Sequence, residues 1–538
     1  MSQPPTTDGR GPTGSGGGDF QARMNRLIEI SIALSAERKL DVLLERILTS
    51  AREITGADAG TLYRLQDGRL HFEVIQNATL GIATGGTTGE KTRLEPVKLD
   101  KANVCAYTAI LGRTVAIADV YESREFDFSG PRHYDRMTGY RSRSMLVVPM
   151  KNHAGVVTGV LQLLNATESA TGAVGPFRPE DTAIVEALAS QAAVAIDNVT
   201  LIQEMKDLFD AVIRVMAAAV DAKSHYTGNH IQRVAIFNTM LAQAVHDIAD
   251  GPLAGVQFTE QDMEAIRIAG WLHDIGKITT PVWIMDKATK LETLMDRMEL
   301  VETRFRLIRE LLARQPDDPD LATRLTELDA ALDAVRRANV PAENTDPELL
   351  ARVQEISRRT YADDGVERPY LTPDETENLT IRRGTLTEEQ RRVMQTHVDW
   401  TNRLLSHIPF KGHLADVPVF AGQHHERLNG RGYPDGAGRD RIPIQSRILA
   451  IADLYEALSA RDRPYRRPMS KEEIVAVLRD SAARDEIDGD ILEVMLRSNL
   501  IDVFETLFES LRQEGLSAYT MRSEERRVGK ECRSRWSA

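Results

Sequence analysis

Two pairs of adjacent polar residues could do chemistry that the apolar sequence around them does not require. His273 and Asp274, followed by Lys277, interrupt an apolar helical run, and His424 and His425 precede a turn-rich loop. Each buried imidazole or carboxylate needs a polar partner of its own, so adjacent pairs are poor core residues. A pair of metal ions would give all of them a partner.

Further segments rich in the same residue types follow one another along the chain. They are residues 226–234, 269–278, 394–397, 424–434, 447–453 and 463–466. These six segments, which include the tripeptide Gly432-Tyr433-Pro434, resemble the signature of the HD-GYP phosphodiesterases. The resemblance implies an all-α helical bundle in which ligands distant in sequence converge on two metal ions.

Seven residues match the family's ligand positions, and the resemblance divides them between two cations. One set is His230, His273 and Asp453, the other is His397, His424 and His425, and Asp274 would bridge both. Mixed imidazole and carboxylate ligands favour iron or manganese, and the absence of cysteine ligands argues against a structural zinc cluster. Some family members hold a third metal through a glutamate, where this chain has Tyr226. We therefore expect two divalent first-row metal ions.

The expected chemistry is hydrolysis of a phosphodiester. Two neighbouring cations make a water between them acidic and stabilise an in-line displacement at phosphorus. Lys277, about one turn beyond Asp274, would place an ammonium over the scissile phosphate. The predicted substrate contacts are the phosphate clamps Arg431, Arg463 and Arg466 and a pocket wall of Gly432, Tyr433 and Pro434. In the alternative reading, Tyr433 only packs and the clamps at 463 and 466 are solvated.

The resemblance implies an enzyme that opens cyclic di-GMP to linear pGpG and can continue to GMP. Two alternatives stay open: a catalytically silent receptor for nucleotide or protein partners, and a hydrolase of another cyclic dinucleotide. The formal net charge of −13 argues against a nucleic-acid polymer or an anionic membrane as partner. We expect no apolar run long enough to span a bilayer, and therefore a cytoplasmic protein.

A chain of 538 residues is expected to form two or three domains. The predicted segments are a disordered tail at 1–19, a sensor domain at 20–175, a connecting helix at 176–222 and the HD-GYP domain at 223–515. Residues 522–538 resemble a translated sequencing adapter and are excluded from the fold prediction. The sensor has an amphipathic helix followed by alternating strands, ending at residues 159–165, and resembles an α+β GAF domain with an antiparallel sheet.

The ligand of the predicted GAF domain stays unknown. The residue set associated with cyclic-nucleotide binding is not evident, because Asn103 is followed by Val104 and not by lysine. Cys105 could anchor a bilin or sense oxidation, but a lone thiol on an apolar helix is more often a packing residue. His133 as a haem ligand is a similarly weak hypothesis.

The connecting helix carries a heptad pattern. Its apolar positions are Leu188, Ala192, Ala195, Val199, Ile202, Phe209, Ile213 and Met216, with Lys206 at the missing step. This pattern predicts a homodimer through paired helices. A helix that lies on the surface of its own domain is the alternative.

An insertion at 288–384 separates two parts of the HD-GYP signature. Residues 291–312 and 321–335 each carry apolar residues at steps of three and four, with a break at 315–319. This predicts an antiparallel helical hairpin, and residues 341–384 are interpreted as an irregular return path. The hairpin is placed to gate the pocket or to bind a protein partner.

Overall fold

The structure is a computed structural model that describes residues 28–30, 32–34, 36–88, 94–168, 171–224, 229–315, 318–342, 344–460 and 469–513. The chain divides into two compact units, Met1–Leu208 and Phe209–Ala538. The predicted tail at 1–19 and the adapter-like residues 522–538 lie outside the described residues. Each unit is described separately below.

The first unit is built on an antiparallel sheet. Its helices are α1 (Leu40–Thr55), α2 (Val104–Leu111) and α3 (Ser129–Thr138). Its strands are β1 (Ala57–Gln66), β2 (Arg69–Asn77), β3 (Ile82–Gly85), β4 (Val97–Lys98), β5 (Val115–Ile117), β6 (Met145–Lys151), β7 (Val157–Thr167) and β8 (Val174–Gly175). Within the described residues the order is β3-β2-β1-β7-β6-β5, with β4 beside β2 and β8 beside β7.

Alternating side chains of the sheet build two separate cores. Leu146 and Val148 of β6 belong to a core shared with α1, whereas Met145 and Val147 belong to one that includes Cys105 of α2. This two-residue period is what strands buried on both faces produce. The prediction of an antiparallel α+β sensor followed by a mostly helical region is confirmed.

A long helix, α4 (Pro179–Asp221), follows the sheet. By length and composition it is long and apolar enough to cross a membrane, so the expectation that no such run exists is wrong. Its apolar window contains isolated acidic residues among many alanines, valines and isoleucines, which hides it from a search for uninterrupted apolar sequence. Ile184, Val185 and Leu188 of this helix are buried in the first unit's core.

Several residues of the dimer seam predicted on α4 are buried within the chain's own cores, whereas Ile202 of that seam is exposed. Leu188 and Ala192 of that seam are buried in the first unit's core, and Ile213 is buried in the core of the second unit. A row one position earlier, again at steps of four and three, is exposed. Its members are Leu201, Met205, Leu208, Val212 and Val215. Dimerisation through α4 stays a prediction.

The second unit is a helical bundle with an inserted module. Before the insertion come α5 (His230–Asp247), α6 (Glu260–Leu272) and α7 (Val282–Met285). The insertion contains α8 (Met298–Ala313), α9 (Leu321–Asn339), α10 (Pro347–Ser357), β9 (Thr360–Asp363), β10 (Val366–Pro369) and α11 (Pro373–Leu379). The bundle resumes with α12 (Glu388–Leu405), α13 (Val417–Gly422), α14 (Ile444–Ser459), α15 (Lys471–Ala483), α16 (Gly489–Arg497) and α17 (Leu500–Gln513).

The two predicted arms of the insertion are α8 and α9, and their apolar faces share a core separate from that of the bundle. The prediction of an irregular return path is wrong, because this stretch forms α10, a β9–β10 hairpin and α11. Its prolines and acidic residues begin helices: Asp346 caps α10 ahead of Pro347, and Thr372 forms a capping box with Glu375. Leu294, assigned to the first arm, lies in a loop and is 93% exposed.

Candidate metal centre

Helix α6 brings His273 and Asp274 into the bundle interior. The helix begins at a capping box formed by Thr259 and Asp262, and its last turns bury Ile268, Ala269 and Trp271. His273 ends the helix, and Asp274 leads directly into a 3-10 helix, Ile275–Thr279. His273 and Asp274 are 0% and 1% exposed, so both need partners within the bundle.

Gly276 allows α12 to approach this turn. A Cβ atom at Gly276 would lie 1.9 Å from the carbonyl oxygen of His397 and 2.6 Å from the amide nitrogen of Thr401. The Gly276 N–H donates to Thr401 Oγ1 over 3.0 Å, and the Thr401 hydroxyl donates to the His273 carbonyl over 3.0 Å. This contact places His397 opposite Asp274.

The carboxylate of Asp274 lies between two groups of histidines. Its Oδ2 is 3.2 Å from His230 Nε2 and 3.3 Å from His273 Nε2. Its Oδ1 is 3.4 Å from His397 Nε2 and 4.0 Å from His424 Nε2. The two oxygens therefore face different imidazoles, which is the arrangement that a bridging carboxylate requires.

The predicted ligands converge in three overlapping groups, within each of which the ligand atoms all lie within 4.8 Å of one another. The groups are His230, His273 and Asp453; His397, His424 and His425; and His273, Asp274 and His424. The first two are the sets predicted from the sequence. The third spans both and contains Asp274.

Four buried atoms of this cluster have no hydrogen-bond partner in the part of the chain that the structure describes. They are His273 Nε2, Asp274 Oδ1, His397 Nε2 and His424 Nε2. Leaving one buried polar atom unpaired costs about 1–3 kcal/mol, so four at one place call for a common partner. Imidazole nitrogens and carboxylate oxygens are suitable ligands for first-row divalent cations. These residues fit a metal centre.

The electrostatics differ between the two groups. At His230 burial would lower the pKa, but the carboxylates of Glu456 and Asp274 raise it well above its usual value. Carboxylates likewise outweigh burial at His273 and raise its pKa to about 9. At His424 burial dominates, and the pKa falls to about 3. The first group is thus rich in negative charge, whereas the second contains neutral imidazoles, the form that binds a cation.

Lys277 lies at the edge of the cluster. Its Nζ donates to Asp274 Oδ2 over 2.5 Å, and 19% of its side chain is exposed. Burial would raise the pKa of Asp274, but Lys277 and His273 hold it well below its usual value. The ammonium therefore lies beside the predicted bridging carboxylate and can reach solvent.

The loop after His425 is closely packed. Glu426 is buried and accepts the backbone N–H groups of Asp435 over 2.7 Å and Ala437 over 2.8 Å. A Cβ at Gly432 would lie 2.3 Å from the amide nitrogen of Arg427, so only glycine fits there. The Tyr433-Pro434 peptide bond is cis. These contacts fix the path of the predicted pocket wall.

Tyr433 packs on a predicted ligand. Its ring centroid lies 4.8 Å from that of His425, with 32° between the planes, so at least part of its role is to support that histidine. Pro434 beside it is partly buried, and Arg431 is exposed, with its backbone N–H donating to Asn429. The candidate clamps Arg463 and Arg466 lie outside the described residues, as does Tyr226. The clamp and third-metal arguments therefore stay predictions.

Sequence reasoning missed three residues that organise the site. Glu456 contacts His230 Nδ1, Thr401 bridges two segments at Gly276, and Glu426 holds the loop that carries Tyr433. Spacing could have indicated two of them. Glu456 is three residues after Asp453 and Thr401 four after His397, so each shares a helix face with a predicted ligand.

Family comparisons agree with this division of the chain. The GAF domain family model matches residues 39–196, and two HD domain family models match residues 227–361 and 370–491. The chain is therefore a GAF-domain and HD-domain protein, and the predicted resemblance is confirmed. Among solved structures, the GAF domain of a Coxiella burnetii phosphoenolpyruvate-protein phosphotransferase covers 34% of this chain and 98% of that chain, at 16% identity and a TM-score of 0.27.

Curated relatives match the chain over part of their length. The 3'3'-cGAMP-specific phosphodiesterase 3 of Vibrio cholerae is 38% identical over 18% of this chain and 20% of that protein. The 3'3'-cGAMP-specific phosphodiesterase 2 of Vibrio cholerae is 24% identical over 55% of this chain and 36% of that protein. The Xanthomonas campestris cyclic di-GMP phosphodiesterase response regulator RpfG is 35% identical over 19% of this chain and 26% of that protein. The chain thus spans well under two thirds of these relatives.

Proposed function

We propose that this protein is a metal-dependent phosphodiesterase that hydrolyses a cyclic dinucleotide. The observation that carries the proposal is the position of Asp274 between two groups of histidines. Its own Oδ1 and three imidazole nitrogens around it are buried without a hydrogen-bond partner among the described residues. One cation would be held by His230, His273 and Asp453, and the other by His397, His424 and His425. HD domains are metal-dependent hydrolases, and iron or manganese suits this ligand set.

The cations, when bound, supply Lewis acidity and an activated water for attack at phosphorus. The chain's own residues supply the rest. Asp274 directs one carboxylate oxygen at each of the two histidine groups and so fixes their relative position. Lys277 places an ammonium at the solvent-accessible edge, where it can donate to a phosphate oxygen as negative charge develops. Tyr433 supports His425 from the side of the predicted substrate pocket.

For the substrate we propose cyclic di-GMP, opened to linear pGpG, with pGpG and GMP as the two alternative end products. The resemblance of the six signature segments supports this, as does the relative named as a cyclic di-GMP phosphodiesterase response regulator. The second candidate is 3'3'-cGAMP, because three relatives are named as phosphodiesterases specific for it. Both are cyclic dinucleotides with the same two phosphodiester links, so the metal centre serves either.

Regulation by the GAF domain is part of the proposal. The arrangement of a sensor, a long helix and a hydrolase supports it, since α4 runs from the GAF unit into the second unit without interruption. A homodimer through α4 would give this helix a partner. The inserted module is the expected surface for a protein partner, and the expected location is the cytoplasm.

The test is hydrolysis by the full chain, purified without oxygen, on cyclic di-GMP, 3'3'-cGAMP and cyclic di-AMP, with Asp274→Ala as control. Hydrolysis of cyclic di-GMP faster than the others supports the first candidate, and faster turnover of 3'3'-cGAMP supports the second. Bound metal without hydrolysis of any of the three would contradict the enzyme and favour a silent receptor.

A further inference from the structure

The histidines of the cluster are oriented in two different ways. Three of them direct Nδ1 at the backbone carbonyl three residues earlier: His273 at Gly270 over 2.8 Å, His397 at Met394 over 2.6 Å, and His424 at Ala421 over 2.6 Å. Each lies within or just after a helix that provides this carbonyl. Such a bond leaves Nε2 as the metal-facing atom.

His230 differs in the group that its Nδ1 contacts, and it is the first residue of its helix, α5. Its Nδ1 instead contacts a carboxylate oxygen of Glu456, which α14 carries one turn after Asp453. Glu456 is 4% exposed. The buried carboxylate of Glu456 therefore contacts Nδ1 of His230, where a backbone carbonyl contacts Nδ1 of the other three histidines.

Glu456 is itself held in place. Arg233, one turn after His230 on α5, has Nε 3.6 Å from Glu456 Oε1. The same guanidinium donates to Glu505 over 2.8 Å and lies 4.8 Å from the ring centroid of Phe504 on α17. Its position is thus fixed from two sides, and Glu456 is fixed with it.

We propose that Glu456, held by Arg233, is a positioning residue that makes the half-site of His230, His273 and Asp453 the tighter of the two cation sites. A carboxylate acceptor at Nδ1 makes an imidazole a stronger ligand than a neutral carbonyl does. Asp453 adds a carboxylate to the same half, whereas the other half is made of the imidazoles of His397, His424 and His425. This rests on the proposed dinuclear centre and adds an order of binding: the half-site of His230 fills first.

The test is titration of the metal-free full chain with Mn²⁺ by isothermal calorimetry. Wild type is expected to show two steps of different affinity. His425→Ala, in the other half-site, should remove the weaker step and so assign it. Glu456→Gln should weaken the tighter step by about 10- to 100-fold, the usual cost of losing such a partner, and leave the weaker step in place.

Two further variants separate positioning from general loss of structure. Glu456→Asp keeps the charge at shorter reach, so it should recover part of the affinity lost in Glu456→Gln. Glu505→Gln is the matched control, because Glu505 belongs to the same network and contacts Arg233 and Tyr455. Because Arg233 also packs on Phe504, this variant should weaken the tighter step far less than Glu456→Gln does and leave the weaker step unchanged.

The outcomes distinguish this inference from the proposed function. If wild type shows two steps and Glu456→Gln leaves both unchanged, or weakens both equally, the role of Glu456 is contradicted while the dinuclear centre stands. Wild type that binds no Mn²⁺ would overturn both. If the Glu456→Gln chain does not fold, Arg233→Gln decides instead: it removes the group that holds Glu456, so unchanged affinity of the tighter step contradicts the proposal.

Discussion

The bundle and its inserted module use buried polar groups in opposite ways. The bundle buries His273, Asp274 and His424, and each has one ligand atom without a hydrogen-bond partner among the described residues. The module buries Lys287 and Lys290, and their ammonium groups donate to neutral oxygens. Buried groups left unpaired indicate a site for an absent partner, whereas buried groups paired within the chain indicate structure.

Lys287 and Lys290 join the chain segments that enter and leave the module. Lys287 Nζ donates to Asn378 over 2.7 Å and to Gln390 over 2.8 Å. Lys290 Nζ donates to Thr345 over 3.0 Å and to the carbonyl of Ile381 over 2.7 Å. The incoming and outgoing chains are therefore joined at the base, and a long insertion adds its own core without separating the ligands before and after it.

The largest effect is expected from Asp274→Ala. It removes the one carboxylate that faces both histidine groups, so hydrolysis should fall at least about 1000-fold and bound metal should decrease. Initial rates on the preferred cyclic dinucleotide and elemental analysis check this. Full activity with full metal content would contradict the assignment of the catalytic site to the bundle.

Lys277→Ala should separate catalysis from metal binding. The ammonium is a donor at the edge of the site, so its loss is expected to lower kcat by about 100-fold while both cations stay bound. The check is kcat together with metal content on the same preparation. An unchanged kcat would show that Lys277 serves only to pair Asp274.

Gly276→Ala tests whether the bundle depends on close approach of α12. The added Cβ would meet the His397 carbonyl, so we expect a loss of about 1–3 kcal/mol in unfolding free energy and reduced metal content. Gly255→Ala is the control, because a Cβ there meets nothing within 4 Å. Equal stability of the two variants would contradict the packing described at Gly276.

Replacing residues 291–382 with a short flexible linker tests the independence of the module. We expect a folded chain that keeps its metal, because the module has its own core, with a hydrolysis rate changed by less than about tenfold. Size-exclusion chromatography, metal content and rates decide this. Loss of folding or of metal would show that the module is integral to the bundle.

The smallest effect concerns Lys290. Burial lowers its pKa from 10.5 to about 8, so the unfolded chain binds more protons between these values and stability should rise with pH across that window. Lys290→Met should reduce this rise, whereas the exposed Lys411→Met should not. Thermal unfolding midpoints at pH 7.5 and pH 9.5 measure it, and an identical rise in all three proteins would contradict the buried charge.

Much of the architecture follows from local sequence. The alternating strands that end at 159–165 predict the sheet, and the apolar steps in 291–335 predict α8 and α9. The return path was mispredicted because proline and acidic residues such as Pro347 mark both helix starts and loops. The heptad count on α4 did not show that Leu188 and Ile213 lie in the cores of the chain itself, because a repeat pattern does not reveal tertiary packing.

The functional site, too, was predicted in part: its ligands were named from the sequence and their supporting residues were not. The family signature names ligands by type and order, and the structure brings those of them that it describes together around Asp274. Their supports could not be named from the signature, because Glu456 acts through a contact between α5 and α14, and Thr401 through one between α12 and the turn at Gly276. Such partners depend on how helices pack, which local sequence does not specify.

The most direct test of the account is the number of metal ions in the full chain. Protein purified without oxygen and analysed by elemental mass spectrometry should contain about two first-row divalent ions per chain, held by the seven residues around Asp274. A chain that contains none, or that takes up three, would contradict the dinuclear centre.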